Sequence, residues 1–356
     1  MPLAIRKETG FKKSAAKILC VPSAHTQNIA PPQIHTQLRI AVSADLLFKM
    51  PDGYLKSYFP KGAAFPLTSK LMSFNEKGNP LVSLTVFSPS SNGTAARVQA
   101  SLDEHGLKER TYGRIITGLY GKKANRVLAR KKRKLNPYDL ILSSNLGDVK
   151  TALSRGLSAA HVDASHPIQD NEKKTLRIAL DFDRCSGIDY VKGEGEYFSV
   201  EGEEFAQRIL RRTGDKDKAL TEIWARDKAL LDKPCHPGPL WPFLVKIIAL
   251  RDALNKAPHL GKVEISLVTA RQYESRQRVE ETFKHWENQP DNLKSTHWSP
   301  KGPIVENLEA DMFCDDSLHH IKSTQECSPS TLAGHTPWIP SHVSRLKRCY
   351  NKGMVL

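Results

Sequence analysis

The stretch Leu38-Arg39-Ile40-Ala41-Val42-Ser43-Ala44-Asp45 returns later in the chain as Leu176-Arg177-Ile178-Ala179-Leu180-Asp181-Phe182-Asp183. Further matches follow in the same order. Gly62-Ala63-Ala64-Phe65-Pro66-Leu67, with Lys70 and Leu71 beyond it, returns as Gly238-Pro239-Leu240-Trp241-Pro242-Phe243, with Lys246 and Ile247 beyond it. Val82 to Ser88 matches Glu264 to Thr269, and each is followed by an Arg-Val pair, Arg97-Val98 and Arg278-Val279. Asp139-Leu140-Ile141-Leu142-Ser143-Ser144 matches Asp311-Met312-Phe313-Cys314-Asp315-Asp316. Four collinear matches make chance a poor explanation and a duplicated unit a good one.

Each unit has the same rhythm. A short apolar run (Leu38 to Val42, Leu176 to Leu180) is followed by helical spacing, as in Pro242 to Leu254. A second strand comes next (Val82 to Phe87, Val263 to Val268), then a helix (Thr94 to His105, Ser275 to Trp286), then a last strand (Leu140 to Leu142, Met312 to Cys314). Strands alternating with helices predict an α/β fold of two related Rossmann-like halves with parallel sheets. The expected organisation is a basic N-terminal tail over 1–35, one half over 36–165, a second over 166–325 and a C-terminal tail over 326–356, where Trp338-Ile339-Pro340 suggests some packing.

Ligands of such sheets sit beyond the carboxyl ends of the strands. There the second half carries Asp181, Asp183, Asp315 and Asp316, whereas the first carries Ser43, Ser143 and Ser144. The second half is therefore the expected catalytic half. Carboxylates converging on one point repel one another unless a cation neutralises them, and hard oxygen donors without His or Cys suit Mg²⁺. Thr269 at a strand end adds a hydroxyl and Lys301 a fixed positive charge. A carboxylate nucleophile, a second acid, a hydroxyl, a lysine and Mg²⁺ make up a set for phosphoryl transfer. Taken singly, Asp315-Asp316 reads as a helix cap, Thr269 as a strand residue and Lys301 as a solvated charge; their order and placement favour chemistry.

Composition bounds the rest. The length of 356 residues favours two domains or one large α/β unit. A mean hydropathy of −0.44 and the lack of a run of about 20 apolar residues exclude a chain built to span a membrane. The net charge of +15 lies entirely in residues 1–165, which hold 25 Lys and Arg against 10 Asp and Glu; 166–356 hold 28 of each. Six cysteines without metal-ligand or disulfide spacing, and a basic N-terminus without an apolar segment, point to a reducing, cytoplasmic setting. The run Arg126 to Lys134, six basic residues in nine, raises a nucleic-acid-binding alternative. No interleaved aromatics accompany it, and the basic stretch Lys122 to Lys134 reads better as a field drawing phosphorylated substrates or an anionic effector. Oligomeric state is not legible.

The order Asp-x-Asp, Thr, Lys, paired acid is that of the haloacid-dehalogenase-like phosphohydrolase superfamily. Within it the chain resembles the cytosolic 5′-nucleotidase I family over residues 36–325. The resemblance rests on Ile40 to Ser43, Ala64 to Leu67, Leu142 to Asn145, Lys233-Pro234 with Gly238 to Leu240, Leu267-Val268-Thr269-Ala270-Arg271, and Pro300-Lys301-Gly302-Pro303 leading to Phe313 to Asp316. It implies hydrolysis of nucleoside 5′-monophosphates, AMP among them, through an aspartyl-phosphate. Asp181 would then be the nucleophile and Asp183 the acid and base. Mg²⁺ would be held by Asp181, the Asp183 carbonyl and Asp315 or Asp316, and the phosphoryl oxygens by Thr269 and Lys301. The alternative within the superfamily is a phosphatase of another small ester. The chain departs at Phe182, where the family usually has glycine, and at a charged insertion, 186–237, with a helix expected over Glu201 to Arg212. The insertion stands where caps enter in this superfamily and is expected to cover the site and help choose the base.

Overall fold

The computed structural model describes residues 37–50, 56–77, 80–88, 92–108, 115–116, 138–164, 174–188, 190–192, 197–199, 210–271, 273–297, 299–325, 328 and 330–333. The expected N-terminal tail, the basic run Arg126 to Lys134, most of the Glu201 to Arg212 helix and Trp338 to Pro340 lie outside them. The strands are β1 (Leu38–Ser43), β2 (Val82–Phe87), β3 (Ile115–Ile116), β4 (Leu140–Ser143), β5 (Ala159–Val162), β6 (Thr175–Leu180), β7 (Gly187–Ile188), β8 (Tyr190–Lys192), β9 (Tyr197–Ser199), β10 (His236–Pro237), β11 (Lys262–Thr269), β12 (Asn292–Ser295), β13 (Met312–Asp315) and β14 (Ser330–Ala333). The helices are α1 (Ala44–Leu47), α2 (Phe65–Ser73), α3 (Asn92–Glu104), α4 (Leu146–Leu153), α5 (Lys216–Ala229), α6 (Trp241–Lys256), α7 (Tyr273–Trp286), α8 (Gly302–Asn307) and α9 (Leu318–Thr324). None is long and apolar enough to cross a membrane.

Ten of the strands form one sheet, in the order β12-β11-β6-β13-β14-β5-β4-β1-β2-β3. This corrects the expectation of separate sheets. Every neighbouring pair is parallel except β5 and β14, which run antiparallel with Thr331 opposite Val162 and Ala333 opposite Ala160. Read outward from that junction, the strand order on one side mirrors the order on the other. β14 lies within the stretch expected as a C-terminal tail, and both junction strands escaped the sequence reading.

The sheet bends at its centre. An apolar cavity of about 10 Å³ is lined by Ile40 and Leu142 from β1 and β4, and by Ile178 and Met312 from β6 and β13. In a flat sheet β1 and β6 would lie about 24 Å apart, five strand spacings, so one small cavity reaches both only if the two sides fold toward each other. Between them sit α2 and α6, which contribute Leu67, Leu71, Phe243 and Ile247 to the same lining. Each helix carries a proline in its first turn, where a missing N–H costs nothing. Charge reinforces this packing. Lys70 on α2 reaches across to Asp311 at 2.6 Å and to the Thr175 carbonyl at 3.2 Å. Lys246 on α6 is buried within the field of Asp139; burial lowers its pKa, and Asp139 opposes that shift.

The turns that lead into α2 and α6 match in detail. Gly62 N–H donates to the Leu47 carbonyl and Ala64 N–H to Leu46; correspondingly Gly238 donates to Ser186 and Leu240 to Cys185, all between 2.8 and 2.9 Å. Both turns demand glycine. A Cβ on Gly62 would stand 2.4 Å from the Leu46 carbonyl oxygen, and one on Gly238 2.4 Å from that of Cys185. The insertion begins and ends beside the second of these turns, where β7 and β10 pair antiparallel with His236 opposite Ile188. Inside it are the β8–β9 hairpin and α5, whose Asp215 caps the N–H groups of Asp217 and Lys218. Gly238→Ala and Gly62→Ala are each expected to cost about 1–3 kcal/mol, because backbone must move to admit the methyl; urea unfolding of the two variants measures this.

Candidate active site

The site begins with strand pairing. β6 and β13 are parallel neighbours with Leu180 opposite Cys314, and the Asp181 N–H donates to the Cys314 carbonyl at 2.8 Å. The next residues, Asp181 and Asp315, therefore leave adjacent strands side by side. Lys301, preceding α8, enters between them: its Nζ lies 2.6 Å from Asp181 Oδ1 and 2.7 Å from Asp315 Oδ2. Gly302 lets this turn press against α9, since a Cβ there would stand 2.2 Å from the Ser323 carbonyl oxygen.

All three charged groups are buried, with Lys301 1% and Asp315 0% exposed. Burial alone would lower the Lys301 pKa, but Asp181 and Asp315 outweigh it and hold the ammonium above its ordinary value. Burial raises Asp181 well above the carboxylate range, with Lys301 opposing. Asp316 is pushed up to about 7, first by burial and then by the neighbouring Asp315 charge. It faces Arg184, whose Nε lies 3.3 Å from Oδ2. Asp315 has both oxygens engaged: Oδ1 accepts from the Ser317 N–H at 2.8 Å.

After Asp181 the chain turns sharply. Arg184 takes the left-handed conformation at φ 58°, uncommon for a residue with a Cβ, and the Gly187 N–H donates back to the Phe182 carbonyl at 2.8 Å. Phe182 is buried against Phe283 and Trp286, with ring centroids 5.7 and 6.4 Å away. Its ring fills the space beside Gly187, where a Cβ would stand 2.4 Å from Cζ. The aromatic residue between the two aspartates is thus accommodated by a glycine five positions on.

Asp183 is brought beside Thr269 and Arg271. The Thr269 hydroxyl is 3.5 Å from Asp183 Oδ2, a weak contact. Arg271 holds the carboxylate far better, donating from Nε at 3.0 and 3.1 Å and from a terminal nitrogen at 2.8 Å. Its other terminal nitrogen donates to Asp227 of α5 at 3.1 Å, and Asp227 also accepts from Arg278 of α7 at 3.3 Å. Of the residues singled out from sequence, the structure joins Asp181, Asp315 and Lys301 in one cluster, sets Asp316 beside it, and pairs Asp183 with Thr269 at its margin. The sequence reading gave no role to Arg271, Arg278 or Asp227. Arg271 stood in the quoted Thr-Ala-Arg stretch; Asp227 lay in a charged helix with nothing to distinguish it.

A divalent ion has a place here. One ligand atom each from Asp181, Cys185 and Asp316 lie within 4.8 Å of one another. Burial pushes the Cys185 thiol pKa well up, and the two carboxylates are the hard oxygen donors of the set. At the matching strand ends of the other side, Ser143 donates to Asp148 at 3.2 Å and Ser144 bonds to Asp45, which occupies the position of Asp183.

Comparisons with known proteins bear on the family. A stretch of 190 residues is 25% identical to cytosolic 5′-nucleotidase 1B of Homo sapiens, covering 52% of this chain and 28% of that protein. Among solved structures, a chain of a Pnkp1/Rnl/Hen1 complex aligns over 83% of this chain and 95% of its own at 13% identity, but with a TM-score of 0.25 it carries no argument. A sequence model of the 5′-nucleotidase family matches residues 53–339, most of the chain, and the chain belongs to that family.

Proposed function

We propose that the protein is a Mg²⁺-dependent 5′-nucleotidase that hydrolyses nucleoside 5′-monophosphates in the cytoplasm. The observation that carries this reading is the buried ammonium of Lys301 held between Asp181 and Asp315 at adjacent strand ends, in a chain of the 5′-nucleotidase family. Asp181 is the nucleophile: a carboxylate oxygen attacks phosphorus and the bond from phosphorus to the ribose 5′-oxygen breaks. Asp183 protonates that oxygen, then takes a proton from the water that hydrolyses the aspartyl-phosphate. Lys301 and Thr269 stabilise the equatorial oxygens.

The donor set fits a hard divalent ion. Asp316 is the better ligand of the paired acids, because Asp315 is committed on both oxygens to Lys301 and the Ser317 N–H. Asp181, Asp316 and the Asp183 carbonyl would hold Mg²⁺. Bound there, the ion neutralises carboxylate repulsion and polarises the phosphoryl group.

The mirrored strand order and the matched glycine turns support a duplication, in which residues 36–165 form the half without catalytic carboxylates and 166–325 a haloacid-dehalogenase-like catalytic half. Ser43, Ser143 and Ser144 take the seats of Asp181, Asp315 and Asp316 in the first half, where Asp45 alone keeps an acid, at the seat of Asp183; the chemistry is therefore assigned to the second.

Phosphate release from nucleoside monophosphates, sugar phosphates and a nitrophenyl ester, with and without Mg²⁺, tests the reading. Nucleotides are expected to be the preferred substrates, with turnover lost on chelation; no turnover of any nucleotide overturns it. Asp181→Asn is expected to lower kcat by about 10³-fold or more, as loss of a covalent nucleophile does. Lys301→Met leaves two buried carboxylates without their cation, and urea unfolding should record a loss of about 3–5 kcal/mol.

A further inference from the structure

The insertion helix reaches the site through one buried residue. On α5 the described side chains are exposed or half-buried apart from Asp227, which is 2% exposed. One of its oxygens accepts from Arg271 and the other from Arg278, whose Nε in turn donates to the Lys233 carbonyl at 3.3 Å. Arg271 divides its guanidinium: the edge formed by Nε and one terminal nitrogen grips both oxygens of Asp183, and the other terminal nitrogen holds Asp227. The guanidinium carbon also lies 5.5 Å from the centre of the Phe182 ring. The alternating chain Asp183, Arg271, Asp227, Arg278 therefore runs from the strand-end loop through the insertion to α7, with each inner member bonded on two sides. A planar fork grips both oxygens of Asp183 along one edge and holds Asp227 with its remaining nitrogen; an ammonium is a single point, which neutralises two carboxylates, as Lys301 does, without fixing the plane of either.

The member at the end of the chain is the most open. The Asp183 side chain is 14% exposed, against 5% for Asp181 and 0% for Asp315. Its plane is set by the two-point grip of Arg271, and the position of Arg271 is set by Asp227. We propose that Arg271 is a positioning residue for Asp183, anchored by Asp227, so that the insertion helix controls delivery of the proton to the leaving oxygen. This rests on the nucleotidase reading, in which Asp183 is the acid. Removing Asp227 leaves Arg271 and Arg278 as buried cations short of a partner, and Arg271 no longer fixed in the orientation that aims Asp183.

The test uses leaving groups of different need. A ribose 5′-alkoxide departs only with a proton, whereas nitrophenolate leaves nearly unaided. kcat/KM reports the steps through the first irreversible one, so the later hydrolysis of the aspartyl-phosphate does not obscure it. In the full chain with Mg²⁺, Asp227→Asn is expected to lower kcat/KM for adenosine 5′-monophosphate by about tenfold or more, a part of the roughly 10²- to 10⁴-fold that general acid catalysis supplies, and for p-nitrophenyl phosphate by only about twofold. Asp227→Glu, which retains a carboxylate, should recover part of the selective loss, and thermal unfolding shows whether each variant is folded. Equal losses on both esters, or none on either, overturn the relay while leaving the nucleotidase reading intact. A wild-type protein that hydrolyses neither ester overturns both. Should Asp227→Asn fail to fold, Arg271→Lys is read in its place, since it keeps the cation but loses the two-point grip that sets the plane of Asp183; an equal loss on both esters overturns the relay there too.

Discussion

The site is organised by a charge that has nowhere else to go. Parallel pairing of β6 with β13 forces Asp181 and Asp315 out of the sheet as neighbours, in a setting that excludes water. Two buried carboxylates at such a distance repel each other and pay for lost hydration, so the arrangement requires a cation. Lys301 meets that need from a third element, and its position ties the α8 turn to the two strand ends. Asp316, left at the edge of the cluster with its pKa raised toward neutrality by burial and by Asp315, is where a further positive charge is most welcome.

Around that cluster the molecule spends charge sparingly and in pairs. Asp311 and Asp139, at the opposite ends of the same strands, bond the backbone N–H groups of Arg177 and Arg39 at 2.8 Å, bracing β13 against β6 and β4 against β1. Lys70 crosses to Asp311 from the other side of the sheet's bend. These bonds tie the strands to one another and to α2 on the side that packs α2 and α6. Asp183 belongs to a different system. It is bound not into the sheet cluster but into the Arg271 and Asp227 chain, which passes through the insertion. The Asp181 position is thus built by the fold's centre, and the Asp183 position by a peripheral element.

Much of this was legible beforehand. The strands came from short apolar runs, and the assignment of acids to strand ends followed from where those runs stop. The glycines at 62 and 238 were visible as repeated residues, although their reason, contact with a backbone carbonyl, was not. The junction strands were missed because Ala159 to Val162 and Ser330 to Ala333 are four residues long and, in the second case, half hydroxyl-bearing; nothing local distinguishes them from loop. Their strand character comes from pairing with β4 and β13 on one side and with each other on the other. Arg271 and Asp227 were missed for a similar reason: they are 44 residues apart, and a buried carboxylate on a charged helix looks like a solvated one until its partner is known.

The sequence by itself determined the alternation of strand and helix, the repeat, and which acids stand at strand ends, because hydrophobic spacing and chain order are local properties. Only the tertiary structure decided that the sheet is single and bent, that Lys301 rather than solvent neutralises Asp181 and Asp315, and that Asp183 answers to Arg271. Those outcomes depend on which distant groups share a dry interior, where an unpaired charge is costly and each must find a partner.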